Sequence, residues 1–384
     1  MVWSNFRDYL KMRNYFWDVN FNEMKNIKPT SILFILLISS LSSIAQTFTI
    51  TGNTTGVEDG TWLYLKTSSP QTLLDSTKVK NSKFTLVGRT NEKVSQMLIH
   101  TNKFDNYLFF WAEKNTHLAL KNGEFKKAII TGSKTQAEAD LRKKLTAPNQ
   151  QLQDSLTGLI TKEKDATVNK QLKEKLIDAR NAEKELDMQG IKANPKSLIS
   201  AYILSVYTST WGKEKTAELF ESLSPEMKNT SYGKTIKDFL MLNKEIKIGG
   251  KFADFEQANT AGKKIKLSNI KAKYILLEFW GSWCGPCREE NPNLVKTYNA
   301  FKTKGFEILG VAADDNKAQW LKAIKDDQLP WENVCDLKGD KNQAALIYGI
   351  SGYPTNFLID ETGVIIGKNL RGEDLSKKLA ELLP

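Results

Sequence analysis

The chain has 384 residues, 40% of them apolar and 26% charged; that length calls for two or three domains, and that composition excludes a largely disordered chain or a multi-pass membrane protein. Three cysteines exclude the disulfide-dense scaffold of a small secreted module, and two histidines, His100 and His117, leave little for histidine-based catalysis or metal sites. The net charge of +11 would suit nucleic acid or an anionic membrane, but lysines are interspersed with acids, ten basic and ten acidic side chains between residues 136 and 190, so the charge reads as solvated surface and calls for no nucleic-acid partner.

At the amino terminus, Ile32 to Ile38 is an unbroken apolar run with Lys25 and Lys28 before it and Ser43-Ile44-Ala45 after it. This is the pattern of a secretory signal peptide, expected over residues 24–45. The run is about half the ~20 residues that span a bilayer, which disfavours a retained anchor. No cysteine lies near the cleavage site to carry a lipid. Residues 1–23, with Asp8, Asp18 and Glu23, read as an upstream extension, translation starting at Met24. Export implies a periplasmic location, no stable membrane span after cleavage, and oxidising surroundings for any dithiol.

Residues 46–135 read as an antiparallel β domain. β-branched and aromatic residues alternate over 47–51, 61–65, 84–87, 97–99, 107–111 and 117–120, separated by Gly, Asn and Asp turns. His117 lies in that alternation, where a packed or surface histidine competes with a ligand. Residues 136–243 switch to helical spacing, with Leu141, Leu145, Leu152, Leu156, Ile160, Val168, Leu172 and Leu176 as an apolar stripe, and with Pro148, Pro195 and Pro225 dividing it into several helices. The stripe suits a helical connector packed on its neighbours, or a dimerisation or partner helix pair. No repeat is present, and the oligomeric state is open.

From residue 244 to 384, strands and helices alternate: a buried strand at 274–279, a helix from 284 to about 302, a strand at 306–312 and a helix at 316–326. A hairpin at 355–359 and 364–368 follows, around Asp360-Glu-Thr-Gly363, with a closing helix from Glu373. A βαβ unit followed by a hairpin and helix predicts an α/β sandwich. Trp280-Gly-Ser-Trp-Cys284-Gly-Pro-Cys287-Arg288 sits where strand passes to helix. Two cysteines three apart at a helix start place the first thiol at the exposed amino-terminal end and the second one turn inside. Unpaired N–H groups and the helix dipole favour a thiolate at Cys284, below the free thiol value of about 8.5, while Cys287 is shielded. A zinc site would need further cysteines or histidines nearby, so no metal is expected; a structural disulfide is the other bland reading.

This segment resembles the thioredoxin fold, and Glu-Phe-Trp-Gly-Ser-Trp-Cys-Gly-Pro-Cys-Arg-Glu-Glu-Asn-Pro resembles its exported TlpA/ResA-like branch. The expected architecture is therefore an α/β thioredoxin-like carboxy-terminal domain preceded by an all-β domain and a helical connector. Phe-Thr-Ile-Thr-Gly and Phe-Thr-Leu-Val-Gly further resemble an amino-terminal β domain often found before such domains. The resemblance implies a thiol-disulfide oxidoreductase without cofactor, with Cys284 as nucleophile and Cys287 as resolving thiol, a redox-active disulfide pair. It places the buried proton acceptor at Glu278, an acid that tunes the cysteines at Glu290, and a cis-proline loop at Tyr353-Pro354-Thr355 whose backbone pairs with substrate. Trp283, Gly285 and Pro286 fall on the same substrate-facing surface.

Each assignment has a physical counterpart. A carboxyl at the end of an apolar strand should have a raised pKa, unless it reaches solvent. An acid in the first turn of a helix also suits the helix dipole without any catalytic role. Pro292 predicts a kink, and Trp280 and Trp283 pack around the site. Cys335 reads as a buried, hydrophobe-like thiol or a third redox partner. Residues 308–312 lack the lysine that assists the buried acid in thioredoxins. The expected partners are a disulfide-containing protein substrate and an envelope electron donor, with reduction favoured by the Gly-Pro pair between the cysteines. Peroxiredoxins share the fold, but the threonine expected three before the attacking cysteine is Gly281. A binding module with an incidental dithiol is the non-enzymatic alternative.

Overall fold

The structure, a computed structural model, describes residues 46–384 apart from 69 and 70. The expected extension at 1–23 and leader at 24–45 lie outside the described residues. No helix among the described residues is long and apolar enough to cross a membrane.

The first eight strands are β1 (Gln46–Thr55), β2 (Trp62–Thr67), β3 (Leu73–Lys78), β4 (Lys83–Thr90), β5 (Ser95–Thr101), β6 (Tyr107–Ala112), β7 (Asn115–Lys121) and β8 (Ile129–Thr131). They form two four-stranded sheets, ordered β4-β1-β7-β8 and β3-β2-β5-β6, closed on one core that includes Ile50, Leu63, Leu65, Leu86, Met97, Phe110 and Leu118. Strict alternation puts every second residue of β4 inside. Across the β1–β4 pair, Phe48 lies opposite Gly88 and Phe84 opposite Gly52, and each ring fills the space a Cβ on that glycine would need. The domain is not wholly antiparallel as expected: β7 pairs with β1 in parallel. The chain leaves the first sheet after β4, builds β5 and β6 in the other, and returns beside β1 already running in its direction. His117 is a surface residue hydrogen-bonded at 3.0 Å to both Thr51 and Asn53 of β1. His100 is buried, its ring stacked on Tyr64 and Phe104.

Helices α1 (Lys134–Lys162) and α2 (Ala166–Ala193) follow as a hairpin, then α3 (Leu198–Trp211), α4 (Lys213–Ser222), α5 (Pro225–Lys228) and α6 (Ser231–Leu242). Ser133 and Asp165 cap α1 and α2 by accepting backbone N–H bonds. Pro148 does not break α1, contrary to expectation. Contacts to α2 hold the helix on both sides of it: the Arg142 fork on Asp187 at 2.7 and 2.6 Å, Asn149 to Ala179, and Gln153 to Glu183. The predicted stripe also divides differently. Leu156 and Leu176 are buried between the helices, whereas Leu141, Leu145, Leu152 and Val168 face outward. The bulk of the packing falls instead to α3–α6, where Trp111 of β6 inserts against Tyr202 and Tyr232. The end of α6 joins the last third of the chain through backbone and side-chain bonds from Lys244 and Asn243 to Ile347 and Leu346.

That last third has a short hairpin, β9 (Glu256–Ala258) and β10 (Lys264–Lys266), and a five-stranded sheet ordered β13-β12-β11-β14-β15. Strands β11 (Tyr274–Trp280), β12 (Phe306–Ala312) and β13 (Glu332–Val334) are parallel; β14 (Thr355–Asp360) and β15 (Ile365–Lys368) are antiparallel to their neighbours. One face packs on α7 (Gly285–Phe301), α8 (Lys317–Asp326) and α10 (Gly372–Leu382), the other on α9 (Gln343–Tyr348). Both faces are covered, so β11 reads as a continuous apolar run rather than an alternation. Helix α7 continues through Pro292 as one element. This is the thioredoxin-like α/β fold, preceded by a β-rich region and a helical segment.

Gly310 in the middle of β12 is required by space. A Cβ there would lie 2.2 Å from Asn333 Oδ1, and Asn333 is held in place by the Trp280 indole N–H and the Trp331 carbonyl, each at 3.1 Å. Gly310→Ala should therefore cost roughly 1–3 kcal/mol, seen as a lower urea midpoint; a midpoint equal to the parent's would remove the packing argument.

Candidate redox site

The strand-to-helix handover builds the site. Cys284 is the residue before α7, in extended conformation, and its sulfur accepts the Cys287 backbone N–H at 3.2 Å, as a capping side chain does. The two cysteines are joined as a disulfide. The expected contrast between an exposed first cysteine and a shielded second is small in the disulfide form, 4% against 1% exposed. Gly285 and Pro286 are exposed beside it, and Pro286 sits in the first turn, where the missing N–H has no intrahelical role.

The segment before Cys284 is gripped by the end of β12. The Trp283 indole N–H donates to the Ala313 carbonyl at 3.0 Å. Ser282 donates to the buried Asp314 carboxylate from both its backbone N–H and its hydroxyl, while burial pushes the Asp314 pKa up. Arg288 adds a second clamp, forked on Asp327 and donating to the Ser282 carbonyl at 3.2 Å. With these anchors Trp283 stands 57% exposed, and its ring meets Tyr353 edge-on with centroids 5.5 Å apart. Trp280 is buried instead, under the site.

Tyr353 precedes Pro354, and the bond between them is cis. Pro354 is buried, and Tyr353 packs against the core cluster that contains both cysteines. Burial raises the Tyr353 phenol far above its ordinary value. The loop thus brings Tyr353 and Pro354 to the same end of the sheet as the disulfide.

Glu278 is 3% exposed, not a strand-end carboxylate reaching water. In register it lies between Gly310 of β12 and Asn356 of β14. Its Oε2 is buried with no hydrogen-bond partner. Burial pushes this carboxyl up to about 8, with the Asn356 amide and the Arg371 charge pulling it down and the Glu290 charge pushing it up. Glu290 itself, expected to tune the cysteines, makes its hydrogen bonds elsewhere: to the Gly372 backbone N–H at 2.8 Å and to Asn293 at 3.3 Å. Cys335 is free, buried and in the same core cluster; burial raises its thiol to about 11.

Four residues near the site were not singled out from the sequence: Ser282, Asp314, Asn356 and Arg371. Asn356 carried a signal, since it is a polar residue inside the apolar run of β14. Arg371 carried none.

Residues 248–368 match the AhpC/TSA family, and residues 48–139 match a domain of unknown function, DUF4369. The thiol-disulfide oxidoreductase ResA of Bacillus thuringiensis subsp. konkukian (strain 97-27) is 34% identical over 139 residues, 36% of this chain and 78% of its own length. ResA of Bacillus subtilis (strain 168) is 34% identical over 135 residues, 35% and 74% respectively. The thioredoxin domain of a thiol-disulfide oxidoreductase from Bacteroides vulgatus is 37% identical, with a TM-score of 0.35, covering 36% of this chain and 100% of that one. With such identity extending over more than two thirds of the ResA proteins, and with the same cysteine-bearing fold described above, the chain belongs to the TlpA/ResA-like family of thioredoxin-fold thiol-disulfide oxidoreductases.

Proposed function

We propose that the protein reduces disulfides of exported proteins by dithiol exchange through Cys284 and Cys287, in the periplasm, using electrons from an envelope donor. The observation that carries this reading is the cysteine pair at the start of α7, with a buried carboxyl beneath it at Glu278 and the cis Tyr353–Pro354 loop alongside. In the reduced enzyme the Cys284 thiolate attacks one sulfur of a client disulfide. A mixed disulfide forms and the client's other sulfur leaves as a thiolate. Cys287, its proton passed to the Glu278 carboxylate, then attacks the Cys284 sulfur. The client's second sulfur leaves as a thiolate, Glu278 and water return the protons that make both client sulfurs thiols, and the enzyme disulfide is formed, so two electrons have moved from enzyme to client. The cis Tyr353–Pro354 loop and the exposed Trp283 suit a client chain laid beside the cysteines. The Gly-Pro pair between the cysteines favours a reducing potential, and the apolar run at 32–38 supports export.

The match to the AhpC/TSA family favours a second reading, peroxide reduction. Against it, a Cβ at Gly281 would lie 2.8 Å from the Trp283 ring, and that ring is pinned to Ala313; a threonine has no room there.

Purified protein should reduce insulin disulfides, with the activity lost in Cys284→Ser, and Cys287→Ser should accumulate client mixed disulfides in the envelope. A potential near about −270 mV is expected for the pair; one near about −120 mV would make it an oxidant. Peroxide consumption that persists in Cys287→Ser would favour the peroxidase reading.

Glu278 gives a second expectation with a definite sign. Its folded pKa of about 8 lies above the ordinary 4.5, so below pH 4.5 both states hold the proton and no stability is lost. As pH rises toward 8 the unfolded chain releases the proton while the folded chain keeps it, and stability falls by up to about 1.4 kcal/mol per pH unit. Urea titrations of the oxidised protein should show this fall between pH 5 and 8 in the parent and its absence in Glu278→Gln. Identical profiles would place the carboxyl in contact with water. At pH 8, Glu278→Gln should also slow resolution of the mixed disulfide by roughly a hundredfold.

A further inference from the structure

We propose that Arg371 is a positioning residue for the exchange reaction: from the start of α10 its guanidinium holds the carbonyl of cis-Pro354 and supplies the cation that faces Glu278. The inference rests on the dithiol reading above and names the part of the molecule that replaces the lysine missing from β12.

The geometry comes from three anchored segments. Arg371 Nη2 donates to the Pro354 carbonyl oxygen. The backbone carrying Arg371 is held to β14 by Asn356, whose amide donates to the Leu370 carbonyl at 2.8 Å and accepts the Leu370 N–H at 2.9 Å, while the Asn369 N–H donates to the Asn356 carbonyl. On the other side, Glu290 of α7 accepts the Gly372 N–H at 2.8 Å. Residues 369–372 are thus fastened both to the strand beside Glu278 and to the helix that carries the cysteines. Arg371 is the side chain this arrangement directs at the proline loop.

The surroundings of Glu278 leave the cationic role to Arg371. The β12 neighbour is Gly310, which has no side chain and no room for one. The β14 neighbour, Asn356, is uncharged. From α7 come the Glu290 carboxylate and the Cys284–Cys287 pair, whose reduced form adds negative charge. Among the described residues, Arg371 is the positive group that acts on the Glu278 carboxyl, opposing burial and Glu290. Arg371 is exposed, so solvent screens this pull, and the expected effect is a fraction of a pH unit to about one unit. Glu290 then acts through Gly372, as an anchor of the segment that carries Arg371.

The test uses the full-length protein with Arg371→Met and Arg371→Lys, and Lys377→Met on the same helix as control. Carbon-13 NMR titration of the Glu278 carboxyl in the oxidised form should move to higher pH in Arg371→Met, stay near the parent in Arg371→Lys, and not move in Lys377→Met. Resolution of a preformed mixed disulfide at pH 7 should slow about threefold in Arg371→Met for a half-unit shift, with a raised KM for a peptide disulfide where the Pro354 carbonyl is no longer held. An unchanged Glu278 titration together with an unchanged pH profile in Arg371→Met would overturn the proposal. Arg371→Lys keeps the test available if the methionine variant unfolds. The NMR readout does not need turnover, so a parent protein that fails to reduce insulin would count against the dithiol reading alone.

Discussion

A helix start has N–H groups with no acceptor inside the helix, and in this protein one of them is given to sulfur. The Cys287 N–H points at the Cys284 sulfur as it would at a serine or aspartate oxygen in an ordinary cap. Everything nearby serves to keep that sulfur at the cap. The buried last residue of β11 fixes where the turn begins, Ala313 and Asp314 hold the turn by side chain and backbone, and the Arg288 fork on Asp327 locks the first turn of α7 to the end of α8. A capping position is the one place on a helix where a negative sulfur is favoured by geometry and by the aligned backbone dipoles together.

Directly below, the fold does what a stable core avoids: it buries a carboxyl without a full set of partners. The cost is limited because most molecules keep the proton at neutral pH, which converts a buried charge into a buried polar group and leaves a minority carboxylate able to accept one. Burial keeps Glu278 in that state, and the Asn356 amide and the Arg371 charge oppose it without reversing it. Gly310 brings no side chain to compete, and Asn356 is held to the Leu370 backbone while lying alongside Glu278. A group held near the middle of its titration can both take and return a proton, whereas a group tied in an ion pair can do neither easily.

Much of this was legible from the residues. The alternation in β4, the apolar run of β11, the cysteines at a strand-to-helix junction and the Asp360–Gly363 hairpin each carry their own local signal, and the structure places them within one to three residues of where the pattern does. What was not legible depends on distant chain. The parallel pairing of β1 with β7 follows from the route of the chain through a second sheet. The continuity of α1 across Pro148 depends on bonds to α2 some thirty residues away. The outward leucines of α1 have the spacing of a packed stripe but no partner face among the described residues to meet it. Three-residue β13 and six-residue α9 are too short to show a period. At the site, Glu290 and Arg371 are surface-type residues whose meaning lies in which backbone group they reach, and that is set by the docking of α10.

The third sulfur shows what burial does for a protein that handles disulfides all the time. Cys335 shares a core with the reactive pair, with its S–H turned to the Asp314 carbonyl and its thiol raised to about 11. At neutral pH only about one molecule in ten thousand carries it as a thiolate. An odd cysteine sharing a core with a disulfide would ordinarily invite scrambling, in which the bond migrates to the wrong partner. Keeping that sulfur protonated makes it chemically mute, so the chain can tolerate a spare thiol in the same core as its disulfide.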